Sequence, residues 1–409
     1  MRSVDLFAGA GGLALGVERA GFLPCAVIEW DRDACNTLRE NARRRVCGMD
    51  KWSIIQSDVR LFNYRSVPKA IDLVAAGVPC QPFSIGGKHR GHLDERNMFP
   101  ELVRAIRDLK PKAVLVENVR GLARPSFAKY FGYIELMLMY PEIQRKGGEE
   151  WLEHLSRLER YHTRGKRDGL WYRVIHRVLN AADFGVPQKR ERLFMVAIRA
   201  DLGIEWSFPS PTHSPDALLR DQFCTGTYWE RHGMTRRRQL EPSQQARSRI
   251  VTLQRSLPLV DLKPWKTVRD AFLGLDVPRA RRTSEEPGLT HFTIPGARSY
   301  VGHTGSILDE PSKTLKAGVH GVPGGENTLV SDEGDIRYFT IRESARLQTF
   351  PDSFVFSGSW TESMRQIGNA VPVKLAEVVA RRLMATLSGE ANSENGRASL
   401  QSPRQAKPC

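Results

Sequence analysis

Short, nearly all-apolar runs punctuate the first 200 residues, and most of them end on a polar residue. Residues 2–7 (Arg-Ser-Val-Asp-Leu-Phe) read as a strand that opens into a turn at Gly9, Gly11 and Gly12. Leu13, Leu15, Val17 and Ala20 then form a short helix-like stretch that stops at Gly21. Ala26-Val27-Ile28 is a second strand, closed by Glu29 and Asp31. Residues 71–76 (Ile-Asp-Leu-Val-Ala-Ala) run into Gly77; Leu102, Ile106 and Leu109 mark a helix that halts before Pro111; Ala113-Val114-Leu115-Val116 ends at Glu117. Val174 to Asn180 and Leu193 to Ile198 look like a strand pair around the polar run Gln188 to Arg192. Strands that alternate with helices and are apolar along their length predict a mostly parallel sheet covered on both faces. Such sheets take ligands beyond the C-terminal ends of their strands. Asp5, Glu29, Asp58, Cys80 and Glu117 all lie at or near such ends.

The pattern changes further along. Residues 123–169 read as an insertion of mixed character with a helical middle, Glu149 to Arg160. From about 205 to 336 periodic stretches give way to Pro, Gly, Ser, Thr, Arg and His, which predicts a separate, loop-rich, strand-bearing domain. It holds the basic clusters Arg236-Arg237-Arg238 and Arg279, Arg281, Arg282. Order returns at Phe339, and a helix from Lys374 to Leu387 closes the fold. This divides the chain into a first domain of 1–204 plus 337–387, a second of 205–336, and a polar tail, 388–409, expected to be disordered.

Composition narrows the class. The chain has 409 residues, enough for a large core without disulfide or metal staples. Six cysteines, none in C-x-x-C spacing, exclude a zinc ribbon or thioredoxin motif, and no metal is expected. Neither a signal pattern nor an apolar run of membrane-spanning length is visible, so a cytoplasmic protein with reduced thiols and no membrane partner is expected. With 61 Lys and Arg against 46 Asp and Glu, the net charge of +15 favours a polyanionic partner.

Four segments carry candidate chemistry. The turn from Asp5 to Gly12 permits close backbone approach to a ligand, and Glu29 is placed to accept from a ribose diol; locally this fits NAD, FAD or S-adenosylmethionine equally. Gly77-Val78-Pro79-Cys80-Gln81-Pro82-Phe83-Ser84 sets a cysteine between prolines at a strand end, where a thiolate would be a strong nucleophile. If the strands 71–76 and 113–116 are neighbours, Cys80 and Glu117 face one cavity, and a carboxyl in apolar surroundings can donate a proton. Arg190 and Arg192 share alternation spacing with Gln188, so on a strand all three face one way, suited to phosphate oxygens or a base carbonyl.

Taken together, these segments resemble the DNA (cytosine-5)-methyltransferases of bacterial restriction-modification systems. The resemblance covers about 1–200 and 338–385 in the family's order: Asp5 to Gly16, Glu29-Trp30-Asp31, Ser57-Asp58-Val59, Gly77 to Ser84, Glu117-Asn118-Val119, Gln188 to Arg192, Arg342 to Pro351, and Gln366 to Pro372 (Gln-Ile-Gly-Asn-Ala-Val-Pro). It implies a Rossmann-like, S-adenosylmethionine-dependent α/β core, with 205–336 as a target-recognition domain whose basic loops, Arg236, Arg237 and Arg238 among them, read duplex DNA. It implies that Cys80 adds to C6 of a flipped-out cytosine, Glu117 holds and protonates N3, Arg192 binds O2, and Arg190 positions a phosphate or the Cys80 segment. Phe7, Gly9, Gly11, Gly12, Glu29, Trp30, Asp58, Pro79 and Asn369 would hold the cofactor. Ser84, Lys88, His89 and Arg90 would meet DNA on a glycine-bearing lid, 84–96. A monomer is expected, with a cognate restriction endonuclease as its functional partner. A tRNA cytosine-5 methyltransferase, an inactive DNA-binding regulator of the same fold and an NAD-linked oxidoreductase are the competing readings.

Overall fold

The structure is a computed structural model that describes residues 1–68, 70–79, 97–165, 167–235, 239–255, 262–280, 291–298, 304–317 and 327–389. Its centre is a seven-stranded sheet built from β1 (Arg2–Leu6), β2 (Leu23–Glu29), β3 (Ile54–Gln56), β4 (Leu73–Gly77), β5 (Ala113–Val119), β6 (Tyr172–Asn180) and β7 (Glu191–Arg199), in the order β3-β2-β1-β4-β5-β7-β6. β1 to β5 are mutually parallel; β7 runs antiparallel to both β5 and β6. The order reverses between β1 and β4, so a crevice opens where the Gly turn leaves β1.

Both faces are buried, as the apolar strands predicted. Val4, Leu6, Val74, Ala76, Val114 and Val116 pack on one side with α3 (Phe99–Leu109) and α4 (Ala128–Met139). Leu73, Ala75, Ala113, Leu115, Phe194 and Val196 pack on the other with α1 (Gly12–Arg19) and the helix Val373–Leu387. The period-two side-chain alternation of strands does this sorting. α2 (Arg32–Arg43) starts where the Asp31 carboxylate accepts from the Ala34 amide at 2.8 Å, an N-cap that ends β2 cleanly. α1 and the helix Val373–Leu387 touch because Gly16 has no side chain: a Cβ there would lie 2.4 Å from the Cβ of Ala376.

Two expectations need correction. The 123–169 segment contains, besides the anticipated helix (α5, Trp151–Thr163), the buried helix α4, whose Ile134, Met137 and Leu138 belong to the central core. The 205–336 segment is more helical than its composition suggested. It holds the helices Pro215–Arg220, Thr227–Arg231, Gln244–Arg255 and Val268–Phe272, and its described strands are only two or three residues long. Tyr228 and Trp229 anchor a small core of its own with Leu218. Among the described residues no helix is long and apolar enough to cross a membrane.

Candidate active site

The first-strand turn is built for close approach. Phe7 takes φ 56° and Gly9 φ 54°, left-handed values that cost a non-glycine residue energy and cluster at ligand sites. Next to them the Glu29 carboxylate accepts the amides of Gly9 (2.7 Å), Trp30 (2.9 Å) and Asp31 (2.8 Å), pinning the turn to the end of β2. Burial still raises its pKa, against these three donors. A Cβ on Gly9 would meet nothing within 4 Å among the described residues, and the Trp30 indole is 72% exposed, a stacking surface left open. Asp58 lies beyond β3, which pairs with β2 so that Gln56 stands opposite Glu29. Its carboxylate is held by Arg60 (Nε 3.0 Å to both oxygens), which lowers its pKa.

Gly11 and Gly12 are also packed closely against the protein itself. A Cβ at Gly11 would press on Leu38 at 2.8 Å, and one at Gly12 would lie 2.3 Å from the Val371 carbonyl and 3.3 Å from Ala370. Both glycines therefore admit protein neighbours. Gly12 in particular seats the 370–371 segment at the start of α1, just after Asn369, which is exposed at the end of the helix Trp360–Asn369.

Gly77 and Glu117 are direct register partners on the adjacent parallel strands β4 and β5. A Cβ at Gly77 would stand 3.6 Å from the Phe7 carbonyl and 3.9 Å from Glu117 Oε2, so the cofactor turn and the glutamate meet across this one residue. Asn118 Nδ2 donates to the Val78 carbonyl at 3.2 Å, tying the half-buried Pro79 segment to β5. Arg192, opposite Val119 on β7, places Nε 3.0 Å from Glu117 Oε1. Glu117 is 7% exposed; burial raises its pKa, while Arg192 and then Arg190 oppose the rise. Burial thus favours the neutral acid, the form that can donate a proton.

Arg190 overturns one expectation. Its side chain is fully buried and donates to the carbonyls of Leu315 (2.9 Å), Gly368 (2.6 Å) and Ala370 (3.0 Å). A guanidinium sealed in this way cannot reach a phosphate; it locks the 312–317 segment and the 368–370 segment onto the sheet. Cys80, Ser84, Lys88, His89, Arg90, Arg236, Arg237 and Arg238 lie outside the described residues, as do Arg281, Arg282 and the tail from 390.

Asp5, expected at the site's edge, is in fact buried beneath the turn. Oδ2 accepts from Ser3 Oγ at 3.2 Å, Oδ1 has no partner, and burial raises the pKa from 3.8 to about 7. The folded chain therefore binds this proton more tightly than the unfolded one. The resulting stability is complete below about pH 4 and is lost as pH rises through about 7, a swing of ~4 kcal/mol. Urea unfolding at several pH values is expected to show this loss in the wild type and a flatter profile in Asp5→Asn; parallel profiles would discount Asp5.

A sheet of this order, with a buried Glu–Arg pair one strand beyond the switch point, is that of a doubly wound α/β protein with its ligand site at the strand ends. The solved structures of DNMT2 from Spodoptera frugiperda (a variant; TM-score 0.55, 16% identity, 94% of this chain and 99% of that one) and of Dnmt2 from S. pombe (0.52, 19%, 95% and 99%) share the fold. The sequence profile of the C-5 cytosine-specific DNA methylases matches residues 1–138 and 163–385. Type II methyltransferase M.NgoMIV of Neisseria gonorrhoeae is 33% identical over 392 residues (95% of this chain, 98% of the relative), and M.Eco47II of Escherichia coli 32% over 388 (94% and 79%). The chain belongs to the C-5 cytosine-specific DNA methylase family. Residues 139–162, which include most of α5, fall outside the family profile.

Proposed function

We propose that this enzyme methylates C5 of a flipped-out cytosine in a specific duplex DNA sequence, with Cys80 as nucleophile and Glu117 as proton donor. The observation that carries the reading is the register of β4 and β5: Gly77 lies opposite Glu117, Asn118 ties down Val78, and Cys80 follows Gly77 by three residues in the sequence. Bound S-adenosylmethionine supplies the electrophilic methyl group. The open space at Gly9, the Glu29 and Asp58 carboxylates and the exposed Trp30 fit its adenosine, and the Phe7 carbonyl lies between there and Glu117, across Gly77.

Cytosine C5 is too weak a nucleophile unaided. Addition of the Cys80 sulfur to C6 pushes electron density toward C5, and a proton from Glu117 to N3 drains the charge this creates. Arg192 would bind O2, a role that its position 3.0 Å from Glu117 supports. A base buried in the duplex stack reaches this pocket only by flipping out. After methylation the C5 proton leaves to water and the Cys80 bond breaks.

Family membership and the Type II names of the relatives support a role as the modification half of a restriction-modification pair. The enzyme is proposed to act as a monomer, since Glu117 and Arg192 pair within one chain and need no second copy to meet. Covalent capture tests the chemistry. Target DNA carrying 5-fluorocytosine, mixed with enzyme and S-adenosylmethionine, is expected to form a denaturant-stable adduct, because fluorine cannot leave C5 as a proton does. Cys80→Ala should form none; an adduct in that variant would refute Cys80 as the nucleophile.

A further inference from the structure

The edge of the sheet that carries Glu117 continues past the pocket into a group of lysines that the reaction does not use. β6 ends at Asn180, opposite Glu191, and the turn Ala181–Phe184 leads to Gly185. His213 covers that glycine so closely that a Cβ would stand 2.6 Å from its Cε1. His213 and Ser214 pair with Lys263 and Pro264 in a two-stranded parallel bridge, and Trp265 Nε1 donates to Asp183 Oδ1 at 3.0 Å. These contacts clamp the 262–267 segment onto the catalytic edge.

Lys263 and Lys266 from this segment, with Lys374 from the start of the helix Val373–Leu387, are all exposed. None of the three makes a salt bridge among the described residues. Their charges converge on His213, whose pKa falls to about 4, through burial first and then through Lys266, Lys374 and Lys263. Lys189 extends the group toward Arg192, its Nζ 5.9 Å from the Trp265 ring and 2.7 Å from Glu310. Like charges repel one another and an anion laid across them relieves the repulsion, of which Asp183, bonded to Trp265 beside Lys266, offsets only a part. β6 lies two strand spacings, ~10 Å, from β5. A duplex that delivers a base to Glu117 and lies along this edge brings a negative charge about every 1.7 Å of its axis.

We propose that Lys263, Lys266 and Lys374 form a track for the phosphates of duplex DNA flanking the target base. The inference rests on the DNA-methylating reading and adds a binding surface outside the pocket. Phosphate contacts set affinity and register without reading sequence, so the track would hold the duplex while other residues recognise it.

Equilibrium binding of the full chain to a target duplex, measured over a range of salt concentrations, tests the track. Removing one lysine–phosphate pair flattens the slope of log K against log salt by ~0.9. The triple variant K263Q/K266Q/K374Q is expected to flatten it by up to ~2.7, while K263R/K266R/K374R keeps the wild-type slope. Calorimetric binding of S-adenosylmethionine verifies folding, and if the triple does not fold, the three single Lys→Gln variants are read instead. An unchanged slope in the folded Gln variants, or a flattening seen with tRNA and absent with duplex DNA, overturns the track. Failure of the wild type to methylate any DNA would instead strike the functional reading, whatever the slopes show.

Discussion

Glu117→Gln is expected to lower the methyl-transfer rate by ~10²–10⁴-fold, the range found when a positioned proton donor is lost. Glutamine keeps the size of the side chain and can still hydrogen-bond to a base edge. It has no proton to give to N3, so charge developing on the ring during sulfur addition stays there. The pH profile sharpens the test. Burial raises the Glu117 pKa, Arg192 and Arg190 pull against it, and the acid form is the competent one. The wild-type rate should therefore fall as pH rises through that elevated pKa, and the glutamine variant should lack this limb. Single-turnover transfer on a target duplex at saturating cofactor measures both effects. A variant within a few-fold of wild type, or one that keeps the limb, would mean that Glu117 only orients the base.

The strand ends were legible because their physics is local. An apolar run that stops at a carboxylate or a glycine announces a buried parallel strand and its ligand edge, and Glu29, Gly77 and Glu117 all stand where that logic puts them. Roles set by distant partners were not legible. Gly12 reads like a ligand-cradling glycine, yet its close neighbour is Val371, some 360 residues along the chain. α4 escaped notice because it is apolar nearly all round (Tyr130, Phe131, Ile134, Met137 and Leu138 are buried), so it lacks the one-sided period that marks a surface helix. The Gln188–Arg190–Arg192 alternation suggested one shared face, but β7 begins only at Glu191 and Gln188 bridges to Ser312. Arg192 consequently reaches Glu117 while Arg190 is sealed beneath the 312–317 segment. No rule of spacing distinguishes those two outcomes; the burial of one guanidinium depends on a segment more than 120 residues later.

Arg190→Met is expected to destabilise the fold by ~2–6 kcal/mol, from two buried carbonyls left without a donor. The arginine is itself costly to bury: burial drives its pKa down, and its Nε finds no partner. A methionine of similar length would remove that cost, and with side-chain partners the exchange could come out even. Here the partners are backbone carbonyls that no substitution removes. Ala370 keeps a bond from Gln348 Nε2 at 3.2 Å, but Leu315 and Gly368 would lose the donors that Arg190 supplies, at ~1–3 kcal/mol for each group left unsatisfied. The loss should also reach the cofactor. The 370–371 segment rests on Gly12, so loosening it is expected to weaken S-adenosylmethionine binding as well as lower the urea midpoint. The salt dependence of DNA binding separates this role from direct phosphate binding: the slope should be unchanged in Arg190→Met, because a fully buried guanidinium releases no counterion from DNA. A stable variant with a flatter slope would return Arg190 to the DNA surface.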